Sequence, residues 1–398
     1  MLARGKLDRP GGDAGGHEFR IWQEVLMVRV LNGADRLGTA DRLLRGRRIA
    51  MLTSASGVDK SGVPTYIKIW QKYNLVALMA PEHGISSNLQ DGGWGSETRD
   101  MYTGTPVYNL RAGGGEALET ALSGADIAVY DIQDVGARFY TYLYNLTDLM
   151  HRCAGLGIPL IVLDRINPIS GGMVQGLLLD EEKYSSSIGR YSIPTRYGLT
   201  VGEFARYING EKKVGCELHV IPCEGWQREL YADLTDLLWV NPSPNIPSVN
   251  AAINYTGTCI FEATNISEGR GTTRPFDMVG APFVNPSLLL DELRSYELDG
   301  VVFRRVHFTP QFGKHTGQVC GGVELHITDR DAYDPVLAAL SVFRHMRRYP
   351  EFTCREEGLC KRFGTDFLLG GCDVGLYRAM SRSQAKKFWV RASEYLLY

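Results

Sequence analysis

Three polar clusters in this chain each follow directly on a short apolar run: Glu82-His83, Asp131-Ile-Gln133-Asp134 with Arg138, and Asp164-Arg165. A fourth, Glu268-Gly-Arg270-Gly-Thr-Thr-Arg274, sets a carboxylate, two arginines and hydroxyl donors on a glycine-loosened backbone, with Asn265 just before it. Carboxylates in that number fit glycoside hydrolysis, in which a protonated acid stands beside the leaving oxygen and a second carboxylate acts as nucleophile or base. Glu82 suits the acid. It ends a buried run and precedes a glycine-rich loop, residues 85–100, that can close over it, and burial favours the protonated form. His83 would orient that acid or bind a sugar hydroxyl, and Asp131, Asp134 and Glu268 are the available second carboxylates. Tyr142, with Tyr140 and Trp94, would face the apolar side of a sugar ring. For Asp164, ahead of Asn167-Pro168, capping or turn formation is as good an account as substrate binding.

Such residues can act together only if the chain carries them to one rim. From residue 43 onward the pattern is strand, loop, helix, repeated. Arg48–Thr53, Asn74–Ala80, Asp126–Tyr130 and Pro159–Leu163 read as buried strands, with a short extended piece at Val107–Leu110 and a further strand at Glu217–Ile221. Helices are expected at Tyr66–Lys72, Gly115–Leu122 and Phe139–Ala154, and Thr200-Val-Gly-Glu203 reads as a capping box opening another. Strands alternating with helices make a parallel, doubly wound α/β sheet, in which ligands gather outside the carboxyl ends of the strands. The polar clusters stand at those ends. The proline-rich segment Trp239-Val-Asn241-Pro-Ser-Pro-Asn245-Ile-Pro247 reads as a rigid crossing to a second part, where Val301–Phe308 and Gly322–Thr328 are strands and Tyr333–Arg348 a helix. Beyond Cys354 only a small helical or irregular tail is legible. The expected division is an extension over residues 1–30, a Rossmann-like catalytic domain over 31–245, and a smaller α+β domain over 246–398 that contributes to the cleft.

Composition narrows the function classes. A net charge of −2 over 398 residues, with both signs intermixed, carries no nucleic-acid footprint. No apolar run approaches the roughly 20 residues a membrane helix needs, and no secretory signal is legible, so a cytoplasmic location is the expectation. The eight cysteines show neither a C-x-x-C pair nor zinc-ribbon spacing, and free buried thiols are expected. His307, His315 and His326 are too scattered to form a metal set. No nucleotide site is expected either, because the arginine-rich loop lacks the full G-x-G-x-x-G spacing and a P-loop lysine.

Five long motifs in order add a resemblance. Pro81-Glu82-His83-Gly84, Tyr130-Asp-Ile-Gln-Asp-Val-Gly-Ala-Arg-Phe-Tyr-Thr-Tyr142, Leu163-Asp-Arg-Ile-Asn-Pro168, Trp239-Val-Asn-Pro-Ser-Pro-Asn245 and Glu268-Gly-Arg-Gly-Thr-Thr-Arg-Pro-Phe276 make the chain similar to the exo-β-N-acetylmuramidase family from about residue 30 to residue 349. The resemblance implies a Rossmann-like domain joined to a smaller one. It also implies release of N-acetylmuramic acid from the non-reducing end of peptidoglycan fragments, a small saccharide substrate, without an organic cofactor. Carried onto this chain, it makes Glu82 the catalytic acid with His83 beside it. Asp131, Gln133, Asp134, Arg138, Tyr142, Asp164 and Asn241 would bind substrate from the first domain, and Asn265, Glu268, Arg270 and Arg274 from the second. An arginine fork would favour the lactyl carboxylate of muramic acid over an uncharged sugar. After PEHG the family runs to Arg-Gly and later Ala-Gly-Glu, whereas this chain has Ser86-Ser87 and Asp91-Gly92-Gly93-Trp94, which leaves the second catalytic group open. Two other readings fit the same residues: a non-catalytic sugar-binding protein, and a metal-assisted hydrolase using His83 with Asp131 and Asp134.

Overall fold

The computed structural model describes residues 27–90, 92–110 and 115–398, so most of the expected N-terminal extension and Asp91 of the glycine-rich loop lie outside the described residues. Among the described residues, six parallel strands form the first sheet: β1 (Arg48–Thr53), β2 (Asn74–Ala80), β3 (Val107–Asn109), β4 (Ile127–Asp131), β5 (Leu160–Leu163) and β6 (Leu218–Ile221). Their order, β3-β2-β1-β4-β5-β6, is that of a dinucleotide-binding Rossmann sheet. Neighbouring residues on a strand face opposite ways, and here both faces are covered. Ile49 and Met51 of β1 and Ile127 and Val129 of β4 pack toward α1 (Thr65–Lys72), whereas Ala50, Leu52, Ala128 and Tyr130 join a larger core containing α2 (Gly115–Ser123), α3 (Tyr142–Leu156) and α4 (Val201–Glu211). That burial explains why these strands read as unbroken apolar runs. The expected capping box is present at α4, where Thr200 accepts from the Glu203 amide and Glu203 reaches back to the Thr200 amide.

Bends and a turn over residues 241–248 lead into α5 (Val249–Thr258), which opens the second, smaller domain. Its sheet is antiparallel in the order β7-β9-β8, built from β7 (Met278–Ala281), β8 (Val301–Phe308) and β9 (Cys320–Ile327). Val323 and Leu325 of β9 point into the core beneath α5, α6 (Pro286–Leu293) and α7 (Pro335–Met346), while Glu324 points the other way to Arg274 and Arg304. The two domains share that core. Phe139 and Tyr140 from the first meet Tyr255 of the second edge to face, at ring separations of 4.9 and 6.3 Å, and Tyr255 meets Phe276 at 4.7 Å.

The tail differs from its expected form. Beyond Cys354 stand α8 (Glu356–Phe363) and a 19-residue helix, α9 (Val374–Ala392). The longer helix was hidden because its buried positions, Tyr377, Ser381, Phe388 and Ala392, make too thin an apolar stripe for a periodic signal. After α9 the chain returns to the first domain. Tyr398 donates to Asp164 at 2.6 Å and accepts from the Cys223 amide, and the Leu397 amide donates to Glu203. The eight cysteines are free, seven of them buried. Among the described residues, no helix is long and apolar enough to cross a membrane.

Candidate active site

The cleft at the crossover of the Rossmann sheet, between β1 and β4, is closed by the chain's own side chains. Arg165 donates to Asp131 at 2.6 Å, Thr53 donates to the Asp131 carbonyl, and the hydroxyls of Ser54 and Ser56 lie 2.9 Å apart. A Cβ on Gly57 would lie 2.7 Å from the Asp131 carbonyl oxygen. What remains is a void of 20 Å³ beside Gln133 and Arg165, room for about one water.

A cavity of 270 Å³ lies instead beyond the end of β2, between the domains. Glu82 and His83 form one wall. The backbone turns sharply there, with both His83 (φ 73°) and Gly84 (φ 78°) left-handed, a conformation that costs a non-glycine residue and so marks a position fixed by its surroundings. His83 Nδ1 donates to the Leu89 carbonyl at 2.7 Å and its amide donates to the Gly93 carbonyl, pinning the loop to the turn. The Tyr142 hydroxyl lies within hydrogen-bond reach of the Glu82 carbonyl (3.2 Å) and the Pro242 carbonyl (3.0 Å), so it braces the turn from behind. Among the described residues, the Glu82 carboxylate accepts from two neutral donors, the Gly92 amide at 2.9 Å and the Thr141 hydroxyl at 3.3 Å.

The floor is one face of α3 with the residue before it. Thr141, Tyr144, Asn145 and Asp148 recur at helical spacing and all line the cavity. Asp148 is clamped by Arg190, which donates through both terminal nitrogens, the second at 3.0 Å, and lies 5.5 Å from the Tyr144 ring centre. The Asp148 charge holds the Arg190 guanidinium above its usual range although burial works against it. The second domain supplies the opposite wall: Tyr255, Cys259, Glu262, Arg270 and Phe276, with Arg362 from α8. Glu262 is bracketed by Arg270 at 2.7 Å and Arg362 at 2.8 Å. Burial alone would raise the Glu262 carboxyl, but the two guanidinium charges hold it below the usual carboxylate range, so it stays ionised.

Of the residues expected from sequence, Glu82, His83, Arg270, Tyr140 and Trp94 reach this cavity, and Glu268 sits behind Arg270, paired with Lys314 at 2.8 Å. The rest do not line it. Arg138 is fully buried and donates to the carbonyls of Leu177 (2.7 Å), Ile193 (2.9 Å) and Arg362 (2.9 Å), which makes it a strut between the domains. Asp131 and Gln133 belong to the filled crossover cleft. Asp134 is buried beneath it, accepting from the Gly136 amide at 2.7 Å and from the Tyr197 hydroxyl. Asp164 accepts from Thr200, the Gly202 amide and Tyr398, so it organises the start of α4. Asn241 is exposed on the crossing segment. Asn265 ties its loop to the backbone of Glu351 and Thr353. Arg274 is half exposed and pairs with Glu324 on the outer face of the second sheet. Strand ends alone would put Asp131, Gln133, Asp134 and Asp164 on one rim with Glu82, but a twisted six-stranded sheet spreads that rim, and the cavity opens beyond β2.

Asp148, Arg190, Glu262 and Arg362 line the cavity and were missed. Asp148 carried a signal, since it falls seven residues after Thr141 and shares its helical face. Glu262 and Arg362 are a hundred residues apart, and no local pattern joins them.

The family models for exo-β-N-acetylmuramidase NamZ match this chain twice, the N-terminal one over residues 49–250 and the C-terminal one over 253–398. A peptidoglycan β-N-acetylmuramidase NamZ from Bacillus subtilis (strain 168) is 42% identical over 311 residues, which is 77% of this chain and 75% of that protein. Two crystal structures of DUF1343 family proteins from Bacteroides fragilis NCTC 9343 superpose with TM-scores of 0.86 and 0.73, at 29% and 30% identity, each covering 93% of this chain and 99% of its own. The chain belongs to the exo-β-N-acetylmuramidase NamZ family.

Proposed function

We propose that this protein is an exo-acting glycoside hydrolase that releases N-acetylmuramic acid from the non-reducing end of peptidoglycan-derived fragments, with Glu82 as its general acid. The observation that carries the assignment of Glu82 is its setting. Of the three carboxylates lining the cavity, Asp148 and Glu262 are bound to arginines, while Glu82 has no cationic partner among the described residues. A general acid must carry its proton into the reaction, and a guanidinium pair that holds a carboxyl ionised, as at Glu262, works against that. A cavity of 270 Å³, just below the usual range of roughly 300–1,000 Å³, is in keeping with one substituted ring and with action at a chain end.

Arg190, Arg270 and Arg362 face the same space. A guanidinium among them would favour a sugar bearing a negative group, such as the lactyl carboxylate. For the metal-assisted reading, Asp131 is bonded to Arg165 and Asp134 to the Gly136 amide, and neither lines the cavity with His83.

A chromogenic β-N-acetylmuramide and the matching β-N-acetylglucosaminide test the reading. The muramide should be cleaved far faster, and Glu82→Gln should lower kcat by about 10²- to 10⁴-fold while leaving the folded state and ligand binding in place. Turnover that survives in the Gln variant would remove Glu82 from its role. A protein that binds the sugar but never cleaves it would favour the non-catalytic reading.

A further inference from the structure

Among the described residues, two carboxamides line the cavity, and they are held differently. Asn245 donates to Gln90 Oε1 at 2.9 Å. Asn145, on the floor between Thr141 and Asp148, has a buried Oδ1 with no hydrogen-bond partner among the described residues. Its neighbours are committed elsewhere: the Thr141 hydroxyl to Glu82, and the Asp148 carboxylate to Arg190. An amide oxygen left unpaired inside a protein is uncommon and calls for an explanation. With no partner to fix it, the amide can turn about its last torsion, a broad one, and present either end to the cavity.

We infer that Asn145 reads the 2-acetamido group of the sugar in this pocket, an inference that rests on the glycosidase reading above. An acetamido group carries one N–H donor and one carbonyl acceptor, and a carboxamide carries the complementary pair without charge. A hydroxyl in the same place would need no such partner, since the charged groups around the cavity already offer donors and acceptors. Asn145 thereby makes the pocket select N-acetylated sugars over their 2-hydroxy counterparts. Its neighbour Thr141 touches Glu82, so the same helical turn holds both the acid and the group that positions the ring.

The test uses the full chain carrying Glu82→Gln, titrated with N-acetylmuramic acid and with its 2-O-acetyl analogue, in which an oxygen replaces the N–H. With Asn145 in place, the protein should bind the amide about 10- to 100-fold more tightly than the ester, the range expected when a neutral buried hydrogen bond is lost and its partner left unpaired. In Asn145→Leu the two affinities should converge, because the amide loses its advantage. The melting temperature in the absence of sugar should hold or rise in Asn145→Leu, since an unpaired polar atom has been removed; a structural amide would instead lower it. Discrimination that is equal with and without the Asn145→Leu substitution, or a marked fall in melting temperature, overturns the inference. Failure of the wild-type enzyme to cleave any β-N-acetylmuramide would instead strike at the glycosidase reading itself.

Discussion

At the scale of single residues, ion pairing and burial separate side chains that look alike in the sequence. Arg138 and Arg270 are both arginines in long motifs, yet one braces three carbonyls in the interior and the other faces the cavity between the domains. Replacing Arg138 by Met should therefore lower unfolding free energy by on the order of 3 kcal/mol or more, because it strands buried carbonyls; urea denaturation measures this. Asp134 and Asp164 are also structural, and burial lifts both carboxyls to about 7. An unfolded chain ionises them near 3.8. The folded protein thus holds protons that the unfolded chain has released, and stability declines as pH rises from about 4 through about 7. Asp134→Asn removes part of that slope, so its melting temperature should gain on the wild type between pH 5 and pH 8. Glu82 was legible because it ends a strand and opens a loop. The fates of Asp131 and Asp134 were not legible, since their partners Arg165 and Tyr197 lie 34 and 63 residues further along the chain.

Among the elements, turns do the positioning, and glycines mark where. Gly136 (φ 81°) turns the chain between β4 and α3, and a Cβ there would lie 2.6 Å from Asn167 Oδ1 and from Ile169 Cγ1. Gly84 shares the left-handed backbone, but its nearest neighbour to an added Cβ is 3.8 Å away. Gly84→Ala should therefore cost about 1 kcal/mol of strain, while Gly136→Ala should cost clearly more and shift α3 with its cavity-lining face. Thermal melts of both variants, with KM measured on the muramide, check the order. Element type and order in the first domain were readable from periodicity, and α3 begins only three residues later than expected. The rim was harder, because which strand end opens onto a cavity is decided by the domain packed against it, and no strand records that.

For the molecule as a whole, the shared core matters more than the division into two sheets. Phe139, Tyr140, Tyr255 and Phe276 interlock across the boundary, Arg138 bonds the backbone of α8, and the C-terminal residues return to Asp164 and Glu203. Unfolding should accordingly be a single cooperative event, with coincident far- and near-ultraviolet circular dichroism transitions and equal calorimetric and van 't Hoff enthalpies. Two separated transitions would show the domains to be energetically independent. The filled crossover cleft has its own corollary. Thr53, Asp131 and Arg165 take the place that adenine dinucleotides occupy in other proteins of this topology, so NAD or ATP at millimolar concentration should leave hydrolysis untouched, and turnover would be insulated from the energy state of the surroundings.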